Sequence, residues 1–172
     1  TVWGGEILQA DLLGFRRVGH LRPAPLPGGD LAARNPWRAA LGYLMLDHHL
    51  APAFALALDG VQEAERAMAE LQATRGVNAP WASSMGRLFD AAAAVLGLRL
   101  KAEFEGQAAM ELESLAGRRV ASEIRVGLER TNGGAWVIDP LHLLAVIGSR
   151  RQRGDDLADL AADFHASVAW AA

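Results

Sequence analysis

The stretch Ser83-Ser-Met-Gly-Arg-Leu-Phe-Asp-Ala-Ala-Ala-Ala-Val-Leu96 decides how the rest of the chain is read. Met85, Leu88, Phe89, Ala92, Val95 and Leu96 recur at the three- and four-residue steps that share one face of an α-helix. A helix over about Ser84–Leu96 is expected, and its neighbours in sequence must cover that face. Before it, Glu6–Leu12 and Phe15–Leu21 read as two strands joined at Leu13-Gly14, the second strongly basic through Arg16, Arg17, His20 and Arg22. Pro23-Ala-Pro-Leu-Pro-Gly-Gly-Asp30 ends any strand, because proline cannot donate to a ladder. Asn35-Pro36 reads as an N-cap with proline at the first helical position, opening a helix to about His48. Asp59-Gly-Val-Gln62 resembles a capping box for a helix that ends at Gly76, with Val61, Ala64, Met68 and Leu71 as its apolar stripe. Arg66 and Glu70 form an i,i+4 pair on its wet face.

After it, a helix from about Gly106 to Ala116 should bury Ala108, Leu112 and Leu115. Ile124–Leu128 and Ala135–Ile138 flank Thr131-Asn-Gly-Gly134, a hairpin signal. Asp139-Pro140 caps another helix, and Asp155/Asp156 start the last, with Leu157, Leu160, Phe164 and Val168 inward. No repeat or linker divides the chain. It reads as one helix-rich α+β unit.

Composition excludes several function classes. With 172 residues, 51% hydrophobic and 22% charged, the chain can bury a core without staples. It has no cysteine, so disulfides, thiol nucleophiles and thiolate zinc sites are out; this fits a cytosolic protein. A net charge of −3 argues against a nucleic-acid binder, and Lys101 is the single lysine among 17 basic residues. The longest apolar runs fall far short of the roughly 20 residues a membrane span needs. The five histidines lack metal-ligand spacing, so no metal site is expected from this chain alone. Serines 83, 84, 114, 122, 149 and 167 lack a nucleophile elbow. The arginines at 118, 119, 125 and 130, and at 150, 151 and 153, read as solvated surface, with a docking patch as the alternative.

Asp90 stands out. It lies opposite the apolar face of its helix and therefore outside the core, among Gly86, Ala93 and Ala94, with Arg87 the one other charge. Small neighbours let a ligand or another backbone approach a lone carboxylate; periodicity equally allows an ordinary exposed aspartate. The pairs Gly4-Gly5, Gly28-Gly29 and Gly133-Gly134 can turn backbone N–H groups onto an anion, or simply make turns. Glu105-Gly106-Gln107 opens a helix, whose N–H groups favour an anion.

The residues also carry a likeness. Trp3-Gly-Gly-Glu6, Gly14-Phe-Arg-Arg17, His20-Leu-Arg-Pro23, Pro25-Leu-Pro-Gly-Gly-Asp30 and Pro36-Trp-Arg38 resemble the hydrogenase-maturation carbamoyltransferases (HypF-type). So do Ser83–Ala91 and Glu105–Glu113, in the same order, with weaker stretches at about 45–79 and 116–138. The resemblance implies a fragment, 1–172, of the C-terminal transferase domain. It divides into a hairpin and turn over 1–30, a helical insertion over 31–80 and an α+β remainder over 81–172. The implied fold is part of a duplicated actin-like ATPase, related to tRNA threonylcarbamoyl transferases. The implied reaction starts from carbamoyl phosphate and ATP, which yield carbamoyl-adenylate. The carbamoyl group then passes to the C-terminal cysteine of a partner maturation protein (HypE-type), a cytoplasmic step in NiFe-hydrogenase maturation. By position, Gly4 and Gly5 match the glycine pair at the acyl phosphate, Asp90 the ribose-binding aspartate and Gly106 a glycine beside the nucleoside. Glu6 stands where the tRNA-modifying branch has histidine. The family's histidine-rich metal motif and Asp-Gly-Thr-Gly segment would precede Thr1, and its nucleotide-closing Gly-Gly loop would follow Ala172. A metal ion is thus expected only in the full-length protein, and the fragment alone is expected to be inactive, with catalytic residues elsewhere. Two rivals stand beside this reading: an antibiotic-type O-carbamoyltransferase and a non-catalytic helical docking module. If absent parts normally cover Leu157–Val168, the isolated chain should expose an apolar face there.

Overall fold

A computed structural model describes residues 3–172, so Thr1 and Val2 of the expected 1–30 hairpin unit lie outside the described residues. In chain order the elements are β1 (Glu6–Ala10), β2 (Phe15–Leu21), β3 (Ala24–Pro25), α1 (Pro36–Leu44), α2 (Ala55–Leu58), α3 (Glu63–Arg75) and β4 (Trp81–Ala82). They continue with α4 (Met85–Val95), α5 (Gln107–Ala116), β5 (Gly127–Arg130), β6 (Trp136–Asp139), α6 (Leu141–Gln152) and α7 (Leu157–Ala171). Two 3-10 helices, Gly29–Arg34 and His48–Phe54, fill the connections around α1. The chain is α+β and helix-rich, as its sequence indicates.

The sheet runs β1-β2-β6-β5. Asp11 ends β1 at Ala10, short of the expected Leu12, because its Oδ1 accepts from the backbone N–H of Leu13 (2.8 Å) and Gly14 (3.0 Å). β6 lies parallel to β2, aligning Leu21 with Ile138, both buried. β5 pairs antiparallel with β6, as the Asn-Gly-Gly signal indicates, although it starts at Gly127 rather than Ile124. The proline-rich stretch still yields a strand pair: Ala24 and Pro25 align antiparallel with Ala82 and Trp81. Two residues suffice because the Leu26 N–H continues the pairing to the Pro80 carbonyl (2.9 Å).

α4 is the centre of the molecule. Leu88 and Ala91–Leu96 are all buried, so neighbours enclose the helix on every side rather than on one. Its alanine run lets neighbouring helices approach closely, α1 most extensively. α1 stops at Leu44, not His48, because Asp47 Oδ1 accepts from the His49 N–H (3.0 Å) and starts the 3-10 turn.

α3 departs most from expectation. Only Ala69 is buried; Ala64 is exposed, and Met68 and Leu71 are 55% and 46% exposed, so the expected stripe faces water. Gln62 makes no side-chain cap bond, and the capping box does not form. α3 touches the body through the buried Ala69 and through Glu65, whose Oε1 accepts from Arg38 Nη2 of α1 at 2.9 Å. The Arg66–Glu70 pair does form, at 3.0 Å on the exposed face.

α7 begins at Asp156, whose carboxylate accepts from the N–H groups of Ala158 (2.9 Å) and Asp159 (3.2 Å). Asp156→Ala should lower unfolding free energy by about 1 kcal/mol, the usual worth of an N-cap, measured by urea titration. The Leu157–Val168 face turns inward, with Leu160 and Phe164 fully buried, so the chain itself covers it and the expected exposed face is absent. α7 also buries Asp163 and Ser167. Asp163 accepts from Ser122 N–H and from Arg150, both at 2.6 Å, while Ser167 Oγ accepts from Ile124 N–H at 2.7 Å. Arg119 pairs with Asp156 and Asp159, and Arg130 stacks over Trp136. Arg119 and Arg150 are therefore not free solvated charges but ties within the chain.

Candidate functional site

The N-terminal end of α4 meets three loops. Ser83 Oγ donates a short hydrogen bond to Glu6 Oε1, whose other oxygen pairs with Arg17 at 3.0 Å, and Arg17 lies over the Trp3 ring. This chain of contacts fastens Gly4-Gly5 to the start of α4. The approach is close: a Cβ on Gly5 would lie 2.4 Å from the Ser83 carbonyl, and Gly4 takes φ 152°. Ser84, the N-cap residue, makes no side-chain cap bond. Its hydroxyl lies between Gly4 and Gly86, 3.5 and 3.7 Å from where their Cβ atoms would be.

Beside this end opens a recess of about 200 Å³, lined by Leu26, Gly29, Asp30, Ser84, Arg87 and Glu105 among others. Whole small-molecule sites span roughly 300–1,000 Å³, so this one fits part of a ligand. Two features suit it to polar groups. The first turn of α4 carries backbone N–H groups without intrahelical partners, and the wall alternates charged and small residues.

Asp90 lies one turn below Arg87. It is 2% exposed, not solvent-facing as its helical phase suggests, because that side of α4 is enclosed too: its neighbours Ala93 and Ala94 are fully buried. Arg87 Nη1 approaches Asp90 Oδ2 to 3.0 Å, yet Oδ2 has no aligned hydrogen-bond donor. Burial pushes the Asp90 carboxyl up to about 6; Arg87 opposes that shift and the Glu105 charge adds to it. A carboxylate this buried, with an oxygen still lacking a donor, is an acceptor held ready for one.

None of Gly4, Gly5, Asp90 and Gly106 lies in the recess wall itself. Gly4 abuts Ser84, Asp90 contacts Arg87, and Gly106 follows Glu105 as the left-handed cap of α5 (φ 84°), with open space where a Cβ would be. Gly4, Asp90 and Gly106 thus each adjoin a residue of the recess wall, while Gly5 packs on Ser83 and Leu21, which are not part of it. Of the recess wall, the sequence pointed to Gly29 and Glu105 through their glycine motifs but gave no site role to Ser84, Arg87 or Asp30. Their signal was present in the Gly28-Gly29 pair and in Arg87 as the lone charge near Asp90. The histidines stay dispersed: among the described residues no three His, Asp or Glu side chains could hold a metal ion. No helix among the described residues is long and apolar enough to cross a membrane.

The helix-rich α+β body, with its small recess at the start of α4, is of the Kae1-like subdomain class. The chain belongs to the HypF carbamoyltransferase family: the family model described as "Carbamoyltransferase, Kae1-like Domain, second subdomain" matches residues 1–172. It is 44% identical to carbamoyltransferase HypF of Rhodobacter capsulatus over 99% of this chain and 21% of that protein. It is 40% identical to the HypF of Rhizobium leguminosarum bv. viciae over 98% of this chain, again 21% of the relative. A solved structure of full-length HypF in the phosphate- and nucleotide-bound form superposes with a TM-score of 0.88 at 37% identity, over 96% of this chain and 21% of that one. The chain therefore spans about a fifth of the relatives it matches.

Proposed function

We propose that this chain forms one wall of the carbamoyl-adenylate pocket in a HypF-type carbamoyltransferase. The observation that carries the reading is Asp90, buried beside the recess with Oδ2 lacking a hydrogen-bond donor. A ribose offers two hydroxyl donors to such a carboxylate, and the carboxylate fixes their orientation. Gly4 and Gly5 approach the N-terminus of α4, where backbone donors stabilise charge on an acyl phosphate. Gly106 leaves room beside the nucleoside. The relatives' name, carbamoyltransferase, and the nucleotide in a structural neighbour support the same chemistry.

In this reading the full-length protein uses carbamoyl phosphate and ATP, and its fold is a duplicated actin-like ATPase with residues 31–80 as a helical insertion. The cysteine thiolate of a partner maturation protein (HypE-type) attacks the carbamoyl carbon. The C–S bond forms as the carbon–oxygen bond to the adenylate breaks, and AMP leaves with the electron pair. The step serves NiFe-hydrogenase maturation in the cytoplasm. A metal ion belongs to the full-length protein in this reading; among the described residues no group of side chains forms a ligand set for one. Calorimetric titration of the full-length protein with a non-hydrolysable carbamoyl-adenylate analogue tests the reading. Saturable binding that Asp90→Ala abolishes is expected; equal binding by both proteins overturns it.

A further inference from the structure

We propose that Arg87 is a placeholder on Asp90 that the ribose diol displaces, and that Glu105 receives the displaced guanidinium. The inference rests on the nucleotide reading of the recess and adds an exchange step to it.

Three observations carry the inference. First, Arg87 neutralises Asp90 without satisfying it: the 3.0 Å approach leaves Oδ2 with no aligned donor. An ion pair meant to be permanent would align its bonds, since a misaligned buried pair keeps the desolvation penalty and forfeits the hydrogen bond. Second, Arg87 lines the recess while Asp90 does not, so a ligand reaching for the carboxylate meets Arg87 first. Among the described residues, Arg87 has no side-chain partner other than Asp90. Third, Glu105 lines the same recess, forms no ion pair among the described residues, and lies near enough for its charge to act on Asp90.

The exchange leaves neither Asp90 nor Arg87 without a hydrogen-bond partner. Before binding, Arg87 holds Asp90 ionised. On binding, two hydroxyls donate to Asp90 and replace the guanidinium. Arg87 then needs a new acceptor, because an unpaired guanidinium only partly exposed is costly. Glu105 provides it within the recess wall.

This makes Glu105 a positioning residue whose effect exists only through Arg87. The test is a double-mutant cycle in the full-length protein, titrated with ADP at pH 8 so that Asp90 stays ionised. Glu105→Gln alone should weaken ADP about tenfold, and in an Arg87→Ala background it should change affinity less than about twofold. Arg87→Lys, which keeps the charge should the alanine variant fold poorly, should retain the Glu105 dependence. With 2′,3′-dideoxy-ADP, which lacks the diol, the coupling should vanish. Additive effects of the two substitutions, or undiminished coupling with the dideoxy nucleotide, overturn the exchange and leave the pocket assignment standing if Asp90→Ala still abolishes binding. No ADP binding by the unmodified protein overturns both.

Discussion

Asp90→Asn will stabilise this chain at pH 7 by on the order of 3 kcal/mol while removing nucleotide binding from the full-length protein. The stability half follows from linkage. The folded carboxyl sits at about 6 against 3.8 for a free aspartate, so the folded state binds the proton more tightly. Stability contributed by that proton is complete below the free value and is lost as pH rises through the folded one. At pH 7 the ionised, buried group carries the full penalty, worth about 1.4 kcal/mol per unit of displacement. Asparagine keeps an acceptor for Arg87 and cannot ionise. The gain should therefore shrink to about half at pH 5 and vanish below about pH 4. Urea titrations of both proteins across that range measure it; a gain independent of pH would contradict the burial argument. The binding half should reach roughly a hundredfold, since a charged acceptor is about twice as strong as a neutral one for each of two hydroxyls. A residue that destabilises its fold and improves binding is the mark of a functional position.

Gly42→Ala should be among the most damaging single substitutions in the chain, lowering unfolding free energy by about 2–3 kcal/mol. A Cβ built on Gly42 would lie 2.0 Å from the Pro25 carbonyl oxygen. That atom belongs to backbone held in the β3–β4 pair, which cannot swing aside as a side chain would. Overpacking of this kind costs about 1–3 kcal/mol, occasionally more, against which alanine's better helix propensity returns at most about 1. Gly86→Ala, also in a helix, is the control. A Cβ there meets only the Ser84 hydroxyl at 3.7 Å, so thermal unfolding should be unchanged or slightly higher. The Gly42 change reaches the site as well, because the shifted Pro25 strand leads into the Gly29-Asp30 wall of the recess.

Local patterns in the sequence marked out most of the elements and fewer of their surroundings. The two hairpins, α4, α5 and α7 were legible because each advertises its own period or turn chemistry, as Thr131-Asn-Gly-Gly134 does for β5 and β6. The parallel pairing of β2 with β6 was not, since nothing local in Gly19–Leu21 names a partner at Trp136–Ile138. Asp90 was legible as an anomaly but misplaced, because a helical wheel describes one apolar face and α4 has neighbours all round. The α3 stripe failed for the converse reason: Met68 and Leu71 fall in phase, yet no element lies beneath them. Arg87 and Glu105 lie 18 positions apart in sequence yet line the same recess, a nearness that no local pattern announces.

The ties from α7 to the irregular stretch before β5 make that stretch dependent on the last helix. Ser122 and Ile124 offer their amides to side chains 41 and 43 residues further on, with no ladder of their own to join. Loop-closure entropy must be met before such contacts form. The stretch therefore takes its amide partners from the far end of the chain, and the approach to β5 is anchored by α7 rather than by the sheet.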